Sequence, residues 1–178
     1  MRSIVDNPPR ELFANVWIRR IGGYHMNENL DDVIADLAAR GIQLPKGAVR
    51  IGGFGDSEAL SESLISLILA GSKRATCSLL WSYEFNGDAV PKVGDIEVVL
   101  DWHGRPILVQ QVTGVEVVPF DCVTADFAAN EGEGDCSLRH WQKEHWRYFT
   151  DECRRIGRPV QKSMPLVCER FEVRYALR

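Results

Sequence analysis

Two strand-like segments in the middle of the chain are joined by a very short connection, and this link limits the fold more than any other feature. The segments span 95–100 and 106–118, and Asp101-Trp102-His103-Gly104 between them has the length of a β-hairpin connection with a glycine near its end. A hairpin makes its two strands antiparallel, whereas parallel neighbours need a crossover of a dozen or more residues. The sequence therefore predicts an antiparallel or mixed sheet.

Further elements surround this hairpin. A strand is predicted from Arg74 to Trp81, where period two places Thr76 and Ser78 on one face, and a closing strand is predicted over 164–177. Apolar stripes with helical spacing predict helices over 28–40, around 60–68 and after residue 137, and a short helix is predicted over 124–129. No βαβ unit repeats. The order favours an α+β fold, a small mixed or antiparallel β-barrel with helices at its ends.

Length and composition are those of one ordinary globular domain. The chain has 178 residues, 45% of them hydrophobic and 26% charged, and a chain of this size buries a real core without metal or disulfide staples. No stretch approaches the length of a membrane span, and the opening residues lack the apolar region of a secretory signal. The expected location is the cytoplasm, with no membrane partner.

The cysteines do not form a recognisable framework. There are five of them, an odd number, and no C-x-x-C pair is present, so free thiols are expected. Glu131, Glu133 and Asp135 alternate like calcium ligands, but Gln142 stands where a bidentate acid is needed. No metal site and no certain cofactor is predicted, although a divalent cation could serve a hydrolytic site.

Charge is unevenly distributed along the chain. The formal net charge is -4, which argues against a protein that coats nucleic acid by bulk electrostatics. Five acidic residues and no Lys or Arg lie in 121–135, whereas 138–162 carries a net charge of +4. This contrast has two readings: an acidic loop beside a basic aromatic helix that binds phosphate and stacks bases, or charges that simply follow the helix dipole.

Lys73 lies at the junction of a helix and a strand, with Thr76 three residues on. A lysine held in partly apolar surroundings can lose pKa and act as a base, and a threonine hydroxyl needs such a base to become a nucleophile. Spacing alone gives this pair little weight.

Three polar residues near apolar rows have structural interpretations as well as functional ones. Ser137 is first of all the N-cap of the helix that follows it. His145 shares an apolar side of that helix with Trp141 and is more often a satisfied core histidine than a catalytic one. Glu169 shares a face with Val167 and Phe171, so it is expected to meet a cation across the barrel or to mark a bulge.

Several segments together resemble bacterial ASCH-domain proteins of the longer type, relatives of a domain in a human transcription coactivator. The segments are GFGDS, LILAGSKRATCSLLW, PKVGDIEVVLD, VVPFDCVTADFAANEGEGDCSLRHWQKEHWRYF and MPLVCERFEV. The resemblance runs from about residue 52 to 176 and divides the chain into an N-terminal extension, 1–45, with one amphipathic helix, and the ASCH domain, 46–178. It implies a PUA-like β-barrel with helices around one cleft, a fold associated with RNA binding.

The superfamily signature G-x-K-x-x-E-x-R lines that cleft. Here Gly71 and Lys73 match, whereas Thr76 and Ser78 replace the glutamate and the arginine. A short ASCH amidohydrolase that deacetylates N4-acetylcytidine carries G-x-K-x-x-T and is thought to use the lysine, the threonine and a later glutamate. Lys73 and Thr76 carry over directly, and the glutamate maps to Glu133, with Glu131 as its neighbour.

Three functions stay open. The longer ASCH proteins include a nuclease of single-stranded RNA, so the first is a ribonuclease in a cleft over Lys73, with Glu133 or Glu131 as the base. The second is an amidohydrolase on a modified nucleoside through Lys73, Thr76 and Glu133. The third is a non-catalytic RNA-binding module. Double-stranded DNA is not an expected partner. Residues expected to bind the RNA or the substrate are Arg74, Ser78, Trp81, Ser137, Arg139, Trp141, His145 and Arg147.

Overall fold

The computed structural model describes residues 17–18 and 30–177, and in these ranges the chain is α+β, as predicted. The elements in chain order are β1 (Trp17–Ile18), α1 (Leu30–Ala39), β2 (Val49–Gly52), α2 (Glu58–Leu69), β3 (Ala75–Leu79), α3 (Leu80–Asn86), β4 (Ile96–Leu100), β5 (Pro106–Pro119), a 3-10 turn (Phe120–Cys122), α4 (Ala125–Glu131), α5 (Leu138–Ile156) and β6 (Pro165–Ala176). Among the helices so described, none combines the length and apolar character that crossing a membrane requires.

All six strands belong to one mixed sheet, in the order β1-β2-β4-β5-β6-β3. The pairs β1–β2 and β2–β4 are parallel, and the pairs β4–β5, β5–β6 and β6–β3 are antiparallel. The predicted mixed sheet is therefore confirmed. It is open rather than closed, because its described edge strands, β1 and β3, do not pair with each other.

The sheet nevertheless curls strongly. Arg50 of β2 and Glu169 of β6 form a buried ion pair, although two other strands, β4 and β5, lie between β2 and β6 in the sheet. In a flat sheet, strands three places apart are about 14 Å from each other, so the contact requires the sheet to bend towards a barrel. Glu97 of β4 also pairs with Arg50 and accepts a hydrogen bond from Gln110 of β5. The expectation that Glu169 meets a cation across the barrel is confirmed.

The predicted hairpin between β4 and β5 is also confirmed, and Asp101 fixes its turn. One carboxylate oxygen of Asp101 accepts hydrogen bonds from the backbone N–H groups of His103 and Arg105, at 2.9 Å each. These hydrogen bonds lower the pKa of Asp101, although burial acts to raise it. The turn is thus held by a side chain that hydrogen-bonds the backbone two and four residues ahead.

Helices cover both faces of the curled sheet and enclose three apolar clusters. On the concave face, α2 packs against Val99, Leu108 and Phe171. On the convex face, α1 covers the half formed by β2 and β4, and α4 and α5 cover the half formed by β3 and β6. The helix of the predicted N-terminal extension therefore shares a core with the sheet. The boundary at residues 45 and 46 stays a prediction, and positions 28 and 29 of the predicted helix lie outside the described residues.

One predicted boundary is wrong. The strand expected to reach Trp81 ends at Leu79, and the helix α3 begins at Leu80. Alternating side chains continue past residue 79, so local pattern could not reveal the end of the strand. Contacts with α5 and with the residues just after it hold the helix. Ser82 donates to Glu152 of α5, and the guanidinium of Arg158, two residues beyond the end of α5, lies 5.5 Å from the ring of Trp81.

Candidate active site

The acidic segment after α4 is a tight link between two capped helices. Thr124 caps the start of α4 by accepting from the backbone N–H of Phe127, and Gly132, in the left-handed conformation, is the C-cap that follows Glu131. Ser137 caps α5 by accepting from the backbone N–H of His140, as its sequence position predicts. The backbone between the caps is therefore fixed at both ends, and it carries Glu133 in a defined place.

Gly132 lets this link pack against the segment that holds Lys73. A Cβ atom at Gly132 would lie 2.5 Å from the carbonyl oxygen of Ser72 and 3.0 Å from the backbone nitrogen of Lys73, closer than any side chain tolerates. The backbone N–H of Arg74 donates to the carbonyl of Asn130 at 2.7 Å. Close backbone approach at a glycine thus brings two segments 60 residues apart into register.

Lys73 lies buried between two glutamates. Its Nζ lies 2.7 Å from Oε1 of Glu133 and 3.5 Å from both Oε2 and the carbonyl oxygen of Glu131. The ring of Phe54 lies under the ammonium, 5.9 Å away. The structure thus brings together three of the four residues predicted to be catalytic.

Charge pairing decides the protonation of this cluster. Burial acts to lower the pKa of Lys73, but the negative charges of Glu131 and Glu133 outweigh it, and the pKa of Lys73 is raised. Burial acts to raise the pKa of Glu131, but the charges of Lys73 and His145 lower it to about 2. At neutral pH the resting site therefore contains a lysine ammonium and a Glu131 carboxylate.

The two glutamates differ in access to solvent. The side chain of Glu131 is 1% exposed, whereas that of Glu133 is 28% exposed. The ring of His140 packs against Gly134, the residue after Glu133, since a Cβ there would lie 2.2 Å from its Nε2. Glu133 is therefore the carboxylate that a substrate can reach, and His140 lies beside it.

Behind Glu131 lies a second group of polar side chains. Nε2 of His145 is 3.2 Å from Oε2 of Glu131, and Nδ1 of His145 is 3.0 Å from the carbonyl oxygen of Trp141. The indole of Trp141 stacks on the imidazole at 4.3 Å between centroids. The thiol of Cys77 faces the same carboxylate, and burial followed by the charge of Glu131 raises the pKa of Cys77.

Thr76 does not join this cluster. Successive side chains of a strand point to opposite faces, and Cys77 points towards Glu131 and the cluster packed on α4 and α5. Thr76 therefore points to the concave face, where it pairs in register with Glu169. Among the described contacts, no hydrogen bond joins Thr76 to Lys73, whose recorded partners are Glu131 and Glu133. Its catalytic role stays a prediction.

The predicted binding residues divide by exposure. Arg74, Arg139 and Arg147 are exposed, with Arg74 donating to the carbonyl of Gly71 and Arg147 pairing with Glu144. Ser78 and Ser137 are half-buried, and Ser137 is occupied as a cap.

The predicted aromatic binding residues are less accessible. Trp141 is 3% exposed and covered by His145, so it offers no face to a base. Trp81 is half-buried in α3 with Arg158 over its ring.

Sequence reasoning missed Cys77, Phe54 and His140 as members of this region. Cys77 and Phe54 meet the cluster only through tertiary packing, so no local pattern could have found them. A usable signal did exist for His140, because glycines on both sides of Glu133 indicate close packing at 132 and 134.

Comparisons with known proteins bear on the family and the fold of the chain. A family model described as the ASCH domain matches residues 50–175. A crystal structure of an ASCH domain from Lactobacillus crispatus is 35% identical, with a TM-score of 0.69, and the match covers 81% of this chain and 90% of that one. The protein EF3133 from Enterococcus faecalis is 31% identical, with a TM-score of 0.68, and the match covers 82% and 89%. A comparison with curated proteins gives no match.

Proposed function

This chain belongs to the ASCH-domain family, and from that premise we propose that it is a hydrolase of single-stranded RNA acting at Lys73 and Glu133. The family is generally RNA-binding and has a PUA-like fold, to which the curled α+β sheet corresponds. The reaction at Lys73 and Glu133 is our own assignment. We place it in the cytoplasm, where five cysteines without a disulfide framework fit the reducing conditions.

The contact between Lys73 and Glu133 is the observation that carries the proposal. A partly exposed carboxylate whose oxygen lies 2.7 Å from a buried ammonium is held in one orientation by that contact. Such a carboxylate is suited to take a proton in a general-base step.

In the proposed reaction Glu133 takes the proton of a ribose 2′-hydroxyl, and the freed oxygen attacks the adjacent phosphorus. The bond from phosphorus to the 5′-oxygen breaks, and His140 supplies the proton that this leaving oxygen needs. The products of this transesterification are a 2′,3′-cyclic phosphate and a free 5′-hydroxyl, and the hydrolysis is complete when water opens the cyclic phosphate. Lys73, fixed by two carboxylates, orients Glu133 rather than binding the phosphate itself.

Phosphate binding would fall to the exposed arginines around the site. Arg139 lies on the first turn of α5, close in the chain to Glu133 and His140, and Arg74 follows Lys73 directly. With a net charge of -4, the protein must bind RNA through such local contacts and not through its overall field.

A cleavage assay tests the proposal. Purified protein is incubated with end-labelled single-stranded RNA in EDTA and, separately, in Mg²⁺. We expect Glu133→Gln to lower the cleavage rate by about 10² to 10⁴ while RNA affinity is kept, since the change removes a general base and little packing. Glu172→Gln, an exposed glutamate on β6, is the matched control. Cleavage by Glu133→Gln at the wild-type rate would refute the proposal.

The same assay separates the other two functions. Deacylation of an N4-acetylated cytidine is supported by the Lys73–Glu133 contact as well, but it needs Lys73 as the base for Thr76. The raised pKa of Lys73 and the position of Thr76 on the concave face count against that step. Turnover of acetylcytidine that is lost in Thr76→Val would favour it, and salt-dependent RNA binding without any product would favour a binding module.

A further inference from the structure

The geometry points to a buried binding site for Zn²⁺ or a similar transition-metal ion formed by Cys77, Glu131 and His145. The three donor atoms, a sulfur, a carboxylate oxygen and an imidazole nitrogen, all lie within 4.8 Å of one another. They come from β3, α4 and α5, so the ion would join three elements of the domain. This site does not rest on the proposed RNA hydrolysis.

The orientation of His145 is the first argument. Its Nδ1 lies 3.0 Å from the carbonyl oxygen of Trp141, and because a carbonyl oxygen only accepts, Nδ1 must carry the proton. A metal-binding histidine typically donates its other ring N–H to a backbone carbonyl in this way, which directs the free nitrogen at the ion. Here the free nitrogen, Nε2, points at Glu131.

The contact between His145 and Glu131 is the second argument. Nε2 and Oε2 are 3.2 Å apart, and two lone pairs at that distance repel unless a positive charge lies between them. The charge is either a second proton on the imidazole or a metal ion. With bonds of about 2.0 Å to nitrogen and about 2.1 Å to oxygen, tetrahedral Zn²⁺ places its two ligand atoms about 3.3 Å apart, close to the observed separation.

The second carboxylate oxygen of Glu131 adds to this. Oε1 is buried and accepts no hydrogen bond of ordinary geometry among the described residues; beyond Lys73 and His145, the donor at this carboxylate is the weakly donating thiol of Cys77. A buried carboxylate oxygen in that condition is costly. The donor atoms lie within 4.8 Å of one another, and tetrahedral Zn²⁺ separates a sulfur from an oxygen or nitrogen ligand by about 3.6 Å, so the sulfur of Cys77 would need to move by about 1 Å.

The charges of the side chains around the site are also compatible with a bound Zn²⁺ ion. Lys73 carries one positive charge beside Glu131, and Glu133 compensates it at 2.7 Å. On binding, the Cys77 thiol releases its proton to solvent and becomes a thiolate, and a proton held on Nε2 of His145 in the ion-free site leaves with it, so that a neutral imidazole binds the ion. The thiolate and Glu131 then balance the two charges of Zn²⁺, so the complete cluster is neutral. The fourth position is left to water.

Metal binding by the purified protein tests the site without RNA. The protein is stripped with a chelator, dialysed and titrated with Zn²⁺ by calorimetry, and with Co²⁺ by absorption spectroscopy. We expect one equivalent to bind and a thiolate-to-cobalt charge-transfer band to appear. Cys77→Ala and His145→Gln should each weaken binding by at least about tenfold, and Cys77→Ala should abolish the band.

Matched controls use neighbouring groups of the same kind. Cys122→Ser removes an exposed thiol, and His140→Gln removes the other histidine of α5. Both should bind Zn²⁺ like wild type. Thermal melting of each metal-free variant shows that it is folded before it is titrated.

Three results would overturn the site: no saturable binding by wild type, binding that survives both Cys77→Ala and His145→Gln, or binding that is lost in Cys122→Ser. Because these titrations contain no RNA, an absent metal site leaves the cleavage assay intact, and an absent RNA hydrolysis leaves the metal titration intact.

Discussion

Lys73 forms two ion pairs, one with each neighbouring glutamate, and the two pairs serve different purposes. Glu131 is sealed in the interior and helps to hold the lysine charge, whereas Glu133 keeps part of its carboxylate in solvent. Removing one partner of a buried pair leaves an uncompensated charge, which is far more costly than losing an exposed pair. A glutamate-to-glutamine substitution should therefore lower stability at position 131 and lower the reaction rate at position 133.

Glu131→Gln is expected to lower the free energy of unfolding by about 3 kcal/mol at pH 7 in chelator. Because Lys73 and His145 lower the pKa of Glu131 to about 2 in the folded protein, below its ordinary unfolded value, its stabilising effect is complete above pH about 4.5. The effect is lost as the pH falls towards 2. Urea denaturation at pH 7, 4 and 3 should show the gap between wild type and variant shrinking.

The exposed Glu172→Gln serves as control for that series and should stay within about 0.5 kcal/mol of wild type. A gap that is the same at pH 7 and pH 3 would contradict the assignment of the effect to the Glu131 charge.

At the scale of elements, the link between α4 and α5 determines where the site forms. Its helices could be predicted, since Thr124 and Ser137 precede apolar stripes and act as N-caps in the structure. Its docking onto the Lys73 segment depends on Gly132, which is left-handed and lies against the backbone of Ser72. One glycine therefore connects a local turn to the assembly of the site.

Gly132→Ala should destabilise the protein and disrupt the site. The left-handed conformation costs a non-glycine residue about 1–2 kcal/mol, and the contact of 2.5 Å with a backbone oxygen adds to that cost because backbone cannot move aside. Gly157→Ala is the matched control, because Gly157 is also left-handed but has nothing within 4 Å. Thermal melting should rank wild type above Gly157→Ala and Gly157→Ala above Gly132→Ala, and equal melting temperatures for the two variants would contradict the packing argument.

At the scale of the whole molecule, negative and positive side chains are concentrated in different segments of the chain. The net charge of -4 includes an acidic segment at 121–135 and a basic segment at 138–162. Several basic side chains of that segment already form ion pairs, among them Arg147 with Glu144 and Arg155 with Glu152. Arg139 is exposed on the first turn of α5. We therefore propose Arg139 as the basic side chain of this segment that contacts an RNA phosphate near Glu133.

RNA affinity should therefore depend on salt through only a few contacts. Each phosphate neutralised on a single strand contributes about 0.7 to the slope of log affinity against log salt. Arg139→Ala should weaken binding and reduce that slope by about 0.7, as measured by fluorescence anisotropy at several salt concentrations. Arg40→Ala, directly after α1 and paired with Asp36, should leave the slope unchanged. An unchanged slope in Arg139→Ala would remove this residue from the interface.

The sequence alone determined the α+β class, the β4–β5 hairpin and most helix starts, because these depend on periodicity, turn residues and caps within about ten neighbours. It also singled out Lys73, Glu131 and Glu133, through their junction position and the resemblance to a family. It could not show that β3 ends at Leu79, since alternation continues into a helix that is held by contacts with α5.

Only the tertiary structure decided which side chains meet. The curl of the sheet carries Arg50 to Glu169, and the packing of α4 and α5 on β3 brings Cys77, Glu131 and His145 together. Neighbouring residues of a strand face opposite ways, so the tertiary structure also places Thr76 on the other side of the sheet from Cys77, Glu131 and His145. These outcomes depend on pairings between residues up to 119 positions apart, which no local sequence pattern encodes.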